Sequence, residues 1–137
     1  MKTIKMIYNI LYKISPKFLK RKLDPFAKQI SNFKILSSSY GQYKTIKEWS
    51  CVDSNKKPIP WYTYPAIEFL ENLDLSQMTV FEYGSGNSTL WWANKSKSVI
   101  SVEDDETWYH KVKKHPNFKL NKINYLLENK RENYVNS

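Results

Sequence analysis

The chain has 137 residues, enough for one domain with a single core. Hydrophobic residues make up 41% and aromatic residues 15%, which excludes a largely disordered chain, and the lone Cys51 excludes an intrachain disulfide. The net charge of +9 is concentrated: residues 1–34 hold nine basic groups against Asp24 alone, and nine minus one gives +8, so the basic character belongs to the N-terminal segment.

Ile4, Ile7, Leu11 and Ile14 recur at helical spacing, with Lys2, Lys5, Asn9 and Lys13 elsewhere around the axis, which predicts a short amphipathic helix over Met1 to Ile14. No stretch supplies the ~20 apolar residues that span a bilayer. The N-terminus also lacks the uninterrupted apolar run and small-residue cleavage site of a secretory signal, so a cytoplasmic location is expected. Ser15-Pro16 and Asp24-Pro25 each pair an N-cap residue with a first-turn proline, predicting helices over about 16–22 and 25–33. From Ser37 to Pro60 the serines, Gly41, Asp53-Ser54-Asn55 and Pro58 read as loop, with only Lys44 to Trp49 hinting at local order. The expected division is a basic helical segment over 1–45, a connecting loop over 46–60 and a globular module over 61–137.

The pattern sharpens after Pro60. Ala66, Ile67, Phe69, Leu70 and Leu73 form a helical face, Met78 to Tyr83 a strand and Ser88 to Asn94 a helix. Val99 to Glu103 is a second strand, Asp105 to Lys114 a helix, and Ile123 to Leu127 a third strand before a polar tail from Glu128 to Ser137. Strands separated by helices predict parallel pairing with right-handed crossovers. The expected fold class is therefore α/β, a partial parallel sheet of about three strands with flanking helices, preceded by the basic helical segment.

The segment Val80 to Thr89 carries the chemistry. It places Gly84 and Gly86 at the turn from an apolar strand into a helix, where a ligand can lie against backbone at the carboxyl end of a strand. A dinucleotide binder would show a third glycine where Thr89 stands, and Glu82 would set a carboxylate beside its pyrophosphate. A cationic cofactor such as S-adenosylmethionine, which bears a sulfonium and an ammonium, suits that carboxylate better. Glu103 ends the next strand 19 residues after Gly84, close to the ~20-residue offset at which an acidic residue binds ribose hydroxyls. Asp104 and Asp105 follow, near where an adenine would lie.

Here the chain resembles the class I S-adenosylmethionine-dependent methyltransferases, over about Pro58 to Tyr134. Glu82-Tyr83-Gly84-Ser85-Gly86 is similar to their first motif, and Glu103 to the acidic end of their second strand. The stretch from Pro58 to Ile67 resembles a segment that precedes that motif in bacterial members of unassigned substrate. Ser88 departs from the pattern, because many members carry a third glycine there. The resemblance implies a Rossmann-like methyltransferase whose cofactor-binding residues are Glu82, Tyr83, Gly84, Ser85, Gly86, Ser88, Glu103 and Asp104, with a small-molecule or glycan-type methyl acceptor. It also implies further strands beyond the third, so the chain is expected to be a truncated or split N-terminal half, with doubtful activity alone. The open edge of its first strand would await a partner chain, and no catalytic residue is assigned.

Other readings remain beside this one. An NAD-binding oxidoreductase fragment is the enzymatic rival. A non-catalytic interaction module is another, its basic N-terminal helix lying on an anionic membrane surface, although packing of that helix's apolar face on the domain is the favoured expectation. Nucleic acid is not an expected partner, because no binding motif accompanies Tyr8, Tyr12, Phe18 and Phe33. His110, His115 and Cys51 lack metal-ligand spacing, and Cys51 reads as a part-buried structural residue. Trp91 and Trp92 are expected in the core, while Trp61, Tyr62 and Tyr64 fit the core or a cover over the cofactor cleft equally well.

Overall fold

The computed structural model describes residues 2–119 and 121–129, so most of the polar tail expected over 128–137 lies outside the described residues. The elements run α1 (Lys2–Ile14), α2 (Lys17–Ser38), α3 (Gln42–Glu48), α4 (Tyr64–Glu71), β1 (Thr79–Tyr83), α5 (Asn87–Lys95), β2 (Ser98–Glu103), α6 (Glu106–Lys113) and β3 (Ile123–Leu127).

The three strands pair in parallel in the order β1-β2-β3, which makes the fold α/β and partially Rossmann-like, as expected. Register sets side chains in rows across the sheet. Val80, Val99 and Ile123 form one row and Glu82, Ser101 and Tyr125 the next on the same face, because side chains alternate along each strand. Both connecting helices cover this face: Trp91, Trp92 and Ala93 of α5 pack with Val99 and Ile123, and Tyr109 of α6 stacks on Tyr125 at 4.3 Å. Two right-handed crossovers that step in the same direction along a sheet put their helices on one side. The other face carries Phe81, Tyr83 and Leu126, 40–52% exposed, with Val102 buried in register between the last two.

The N-terminal segment differs from expectation in two ways. The helices expected at about 16–22 and 25–33 are one continuous helix, α2, which runs through Pro25. Asp24 does not cap a new helix; its carboxylate accepts from the hydroxyls of Tyr8 and Tyr12 on α1, both at 3.4 Å. With its local capping role taken over by a tertiary contact, the Asp-Pro signature loses its usual meaning. Second, the apolar face of α1 does not pack on the sheet: Ile7, Ile10 and Ile14 are 50–75% exposed.

The stretch read as loop is more ordered than its composition indicates. It contains α3, and an isolated bridge joins Val52 to Pro58. The buried hydroxyl of Thr45 ties it together, accepting from the amide of Val52 and donating to the Val52 carbonyl, each at 3.0 Å. Ile59 enters the main core, and Asn87 at the start of α5 donates to the carbonyl of Cys51 at 2.5 Å. Among the described residues no helix is long and apolar enough to cross a membrane.

Candidate functional site

The carboxyl ends of β1 and β2 meet at the glycine turn. Gly84 takes φ 75°, a left-handed conformation that favours glycine, and a Cβ built there would meet nothing within 4 Å. The backbone at this point is open to a ligand. Gly86 caps the N-terminus of α5, and its amide donates to the Thr89 hydroxyl at 3.1 Å. Thr89 therefore serves the turn at the position where a dinucleotide loop would have its third glycine.

The two acids converge from neighbouring strands. Glu103 is 5% exposed; one carboxylate oxygen accepts from the Ser85 hydroxyl and the other from the amides of Asp104 and Asp105, both at 3.2 Å. A carboxylate offers about four lone-pair positions, so three are already engaged and a ribose diol would have to displace the Ser85 hydroxyl. That hydroxyl also lies 2.6 Å from the phenolic oxygen of Tyr125, whose pKa burial pushes well above its ordinary value. Glu82 accepts from Thr89, and burial raises its carboxyl above the ordinary glutamate range; hydrogen bonds from Thr89, Ser88 and Ser101 oppose that rise, and the charge of Glu103 adds to it.

This shift has a defined sign. A carboxyl harder to ionise in the folded chain than in the unfolded one loses stabilising effect as pH rises from the unfolded value, ~4.3, through the raised folded value. The wild-type urea midpoint is expected to fall more between pH 4.5 and pH 7.5 than that of Glu82→Gln, which has no such proton to lose. Equal falls in the two proteins would refute the assignment.

Of the sequence-derived site residues, Glu82, Gly84, Ser85, Gly86, Ser88 and Glu103 gather at this turn. Asp104 is exposed at its rim, and Asp105 caps α6 by accepting from the Trp108 amide at 2.7 Å. Tyr83 is placed differently: its ring meets Phe81 edge-on at 4.9 Å, on the opposite face of the sheet from Glu82. Tyr64 packs beside the core against Tyr40 at 4.4 Å, Tyr62 lies 6.5 Å from Trp92, and Trp61 is exposed against Trp49. The Cys51 thiol, raised in pKa by burial, points its sulfur to the Pro60 carbonyl at 3.4 Å, as a structural cysteine would.

Two residues here escaped the sequence reading, Tyr125 and Trp108. The indole nitrogen of Trp108 donates to the Ser85 carbonyl at 2.8 Å, and its ring lies 3.7 Å from a Cβ built on Gly86. Part of the turn is thus covered by protein, while Gly84 stays open. Trp108 carried a usable signal, since it falls in the first turn of the helix that follows an acidic strand end. Tyr125 carried none, because only lateral strand register brings it here. A separate cleft of about 610 Å³, lined by residues including Lys57, Glu71, Trp91 and Lys119, lies at the amino ends of the strands, away from the end where open α/β sheets bind ligands.

The residues present fit a cationic adenosyl cofactor in two respects: an open glycine backbone at the strand tip, and two carboxylates on adjacent strand ends. Compared with family models, curated proteins and solved structures, the chain matches none.

Proposed function

We propose that the carboxyl ends of β1 and β2 form the methyl-donor site of an S-adenosylmethionine-dependent methyltransferase. The observation that carries this reading is the convergence of Glu82 and Glu103 beside the uncovered backbone of Gly84. When bound, the cofactor would supply an electrophilic methyl group on sulfur. The chain's own task is to hold and orient it. Glu103 would accept from the ribose hydroxyls, exchanging its bond to Ser85 for charge-assisted bonds of the same kind, two to the diol in place of one. Glu82 would place negative charge near the cationic part of the ligand, and its own ionisation would become easier as that charge arrives. Asp104 would stand at the adenine side. Ser88, present where many members of the resembled class have glycine, favours the ionised form of Glu82.

Trp108 decides access. Its indole either rotates off Gly86 or stays as one wall of the adenine site. Titration calorimetry with S-adenosylmethionine, S-adenosylhomocysteine and NADH tests the proposal directly. Heat from the two adenosyl ligands, with none from NADH, is the expected result. No heat at millimolar adenosyl ligand, from protein with a cooperative unfolding transition, would overturn it.

A further inference from the structure

We infer that the helical pair α1–α2 is an in-plane docking surface for an anionic membrane. The inference is independent of the methyl-donor site. Tyr12 lies under Lys20, whose ammonium is 5.0 Å from the ring centroid, and Tyr8 reaches Asp24. Residues farther back along α1 therefore meet residues farther along α2, the order of an antiparallel pair. This contact fixes how the helices are turned. With 3.6 residues per turn, Ile7 and Ile14 lie roughly 120–140° from the mean direction of Tyr8 and Tyr12 on α1, and Ile10 lies roughly opposite them, so the centre of the stripe is roughly 150° away. By the same geometry, Leu19, Phe26, Ile30 and Phe33 lie roughly 120° from Lys20 and Asp24 on α2. In an antiparallel pair both rotations lead to the same side of the plane through the two axes.

That side is apolar and, among the described residues, open to solvent. Ile7, Ile10 and Ile14 are 50–75% exposed, and Phe26, Ile30 and Phe33 are 52–66% exposed. Neither helix is long and apolar enough to cross a bilayer, so an apolar face of this kind can only lie along one. Lys22 and Lys34 flank the α2 stripe, where their stems can lie along it and their ammonium groups reach headgroups.

Charge selects the occupant. Residues 1–34 carry nine basic groups against one acid. A second copy of this chain, laid stripe to stripe, would bring two such segments together and repel. An anionic lipid surface attracts them, by about 1 kcal/mol per basic residue near the surface. Nucleic acid would satisfy the charge and leave the isoleucine and phenylalanine stripes exposed.

The test is co-sedimentation of the full chain with phosphatidylglycerol-containing vesicles and with pure phosphatidylcholine vesicles, at low and high salt. Binding to the anionic vesicles that weakens with salt is expected, with at least about a tenfold lower partition coefficient for the Ile10→Glu/Ile30→Glu variant. Both positions are solvent-exposed, so circular dichroism of the variant should match the parent. Three outcomes overturn the inference: no binding to anionic vesicles at low salt, binding that the double variant leaves unchanged, and a lipid-free dimer that the double variant dissociates.

Discussion

Glu103→Ala is expected to destabilise the fold by about 2–4 kcal/mol and to abolish adenosyl-ligand binding. The buried carboxylate is the acceptor for the Asp104 and Asp105 amides, and it shares the Ser85 hydroxyl with the Tyr125 hydroxyl. Truncation strands those donors at the point where β2 gives way to the cap of α6. Loss of the carboxylate also removes the Ser85 tie to the β2 tip, leaving the Gly84 amide's bond to the Val102 carbonyl and the Ser101 hydroxyl's bond to the Gly84 carbonyl to hold the two strand ends together. Glu103→Gln separates the structural role from the proposed binding role. Its amide oxygen can still accept from the two backbone amides, so the urea midpoint should drop by a smaller amount, about 1 kcal/mol. Ligand affinity should nevertheless fall sharply, because the charge that favours a diol is gone. If the alanine variant unfolds at the parent's urea concentration, the network around Glu103 does not hold the turn.

Gly41→Ala is expected to be as damaging, on the order of 2–4 kcal/mol, although nothing chemical happens at Gly41. The residue takes φ 78°, and a Cβ there would stand 2.3 Å from the carbonyl carbon of Asp53 and 2.6 Å from the amide nitrogen of Ser54. Both obstacles are backbone, so no side chain can swing aside. Relief requires α3 to separate from the 53–54 turn, which pulls on the Thr45–Val52 hydrogen bonds. Hydrogen exchange at the Val52 amide should therefore accelerate strongly in the variant, while amides of β2 change less. Unchanged Val52 protection would refute the close-approach argument.

These two residues show what sequence could and could not convey. The strands and the α5 and α6 helices were legible to within about a residue at each end, since valine-rich runs, the glycine turn and Asp105 are local signals. Glu82, Ser85 and Glu103 were legible as a group because the spacing between a glycine turn and the next strand end is itself local. Gly41 read only as punctuation, because its requirement comes from Asp53, twelve residues away and across a gap that no local rule closes. Pro25 misled for the opposite reason: the Asp-Pro dipeptide has a strong local meaning that α1 overrides by taking the carboxylate. Tyr125 joined Ser85 only through register, a property of the assembled sheet.

The one-sided covering of the sheet has a practical consequence at the bench. A native molecule in which Phe81, Tyr83 and Leu126 are 40–52% exposed on one face of the sheet should light up an environment-sensitive dye such as ANS before anything has loosened. Bright dye emission, commonly taken as the mark of a molten globule, would then signify a properly folded chain, and near-ultraviolet circular dichroism from the packed Trp91 and Trp92 would be the sounder gauge of nativeness.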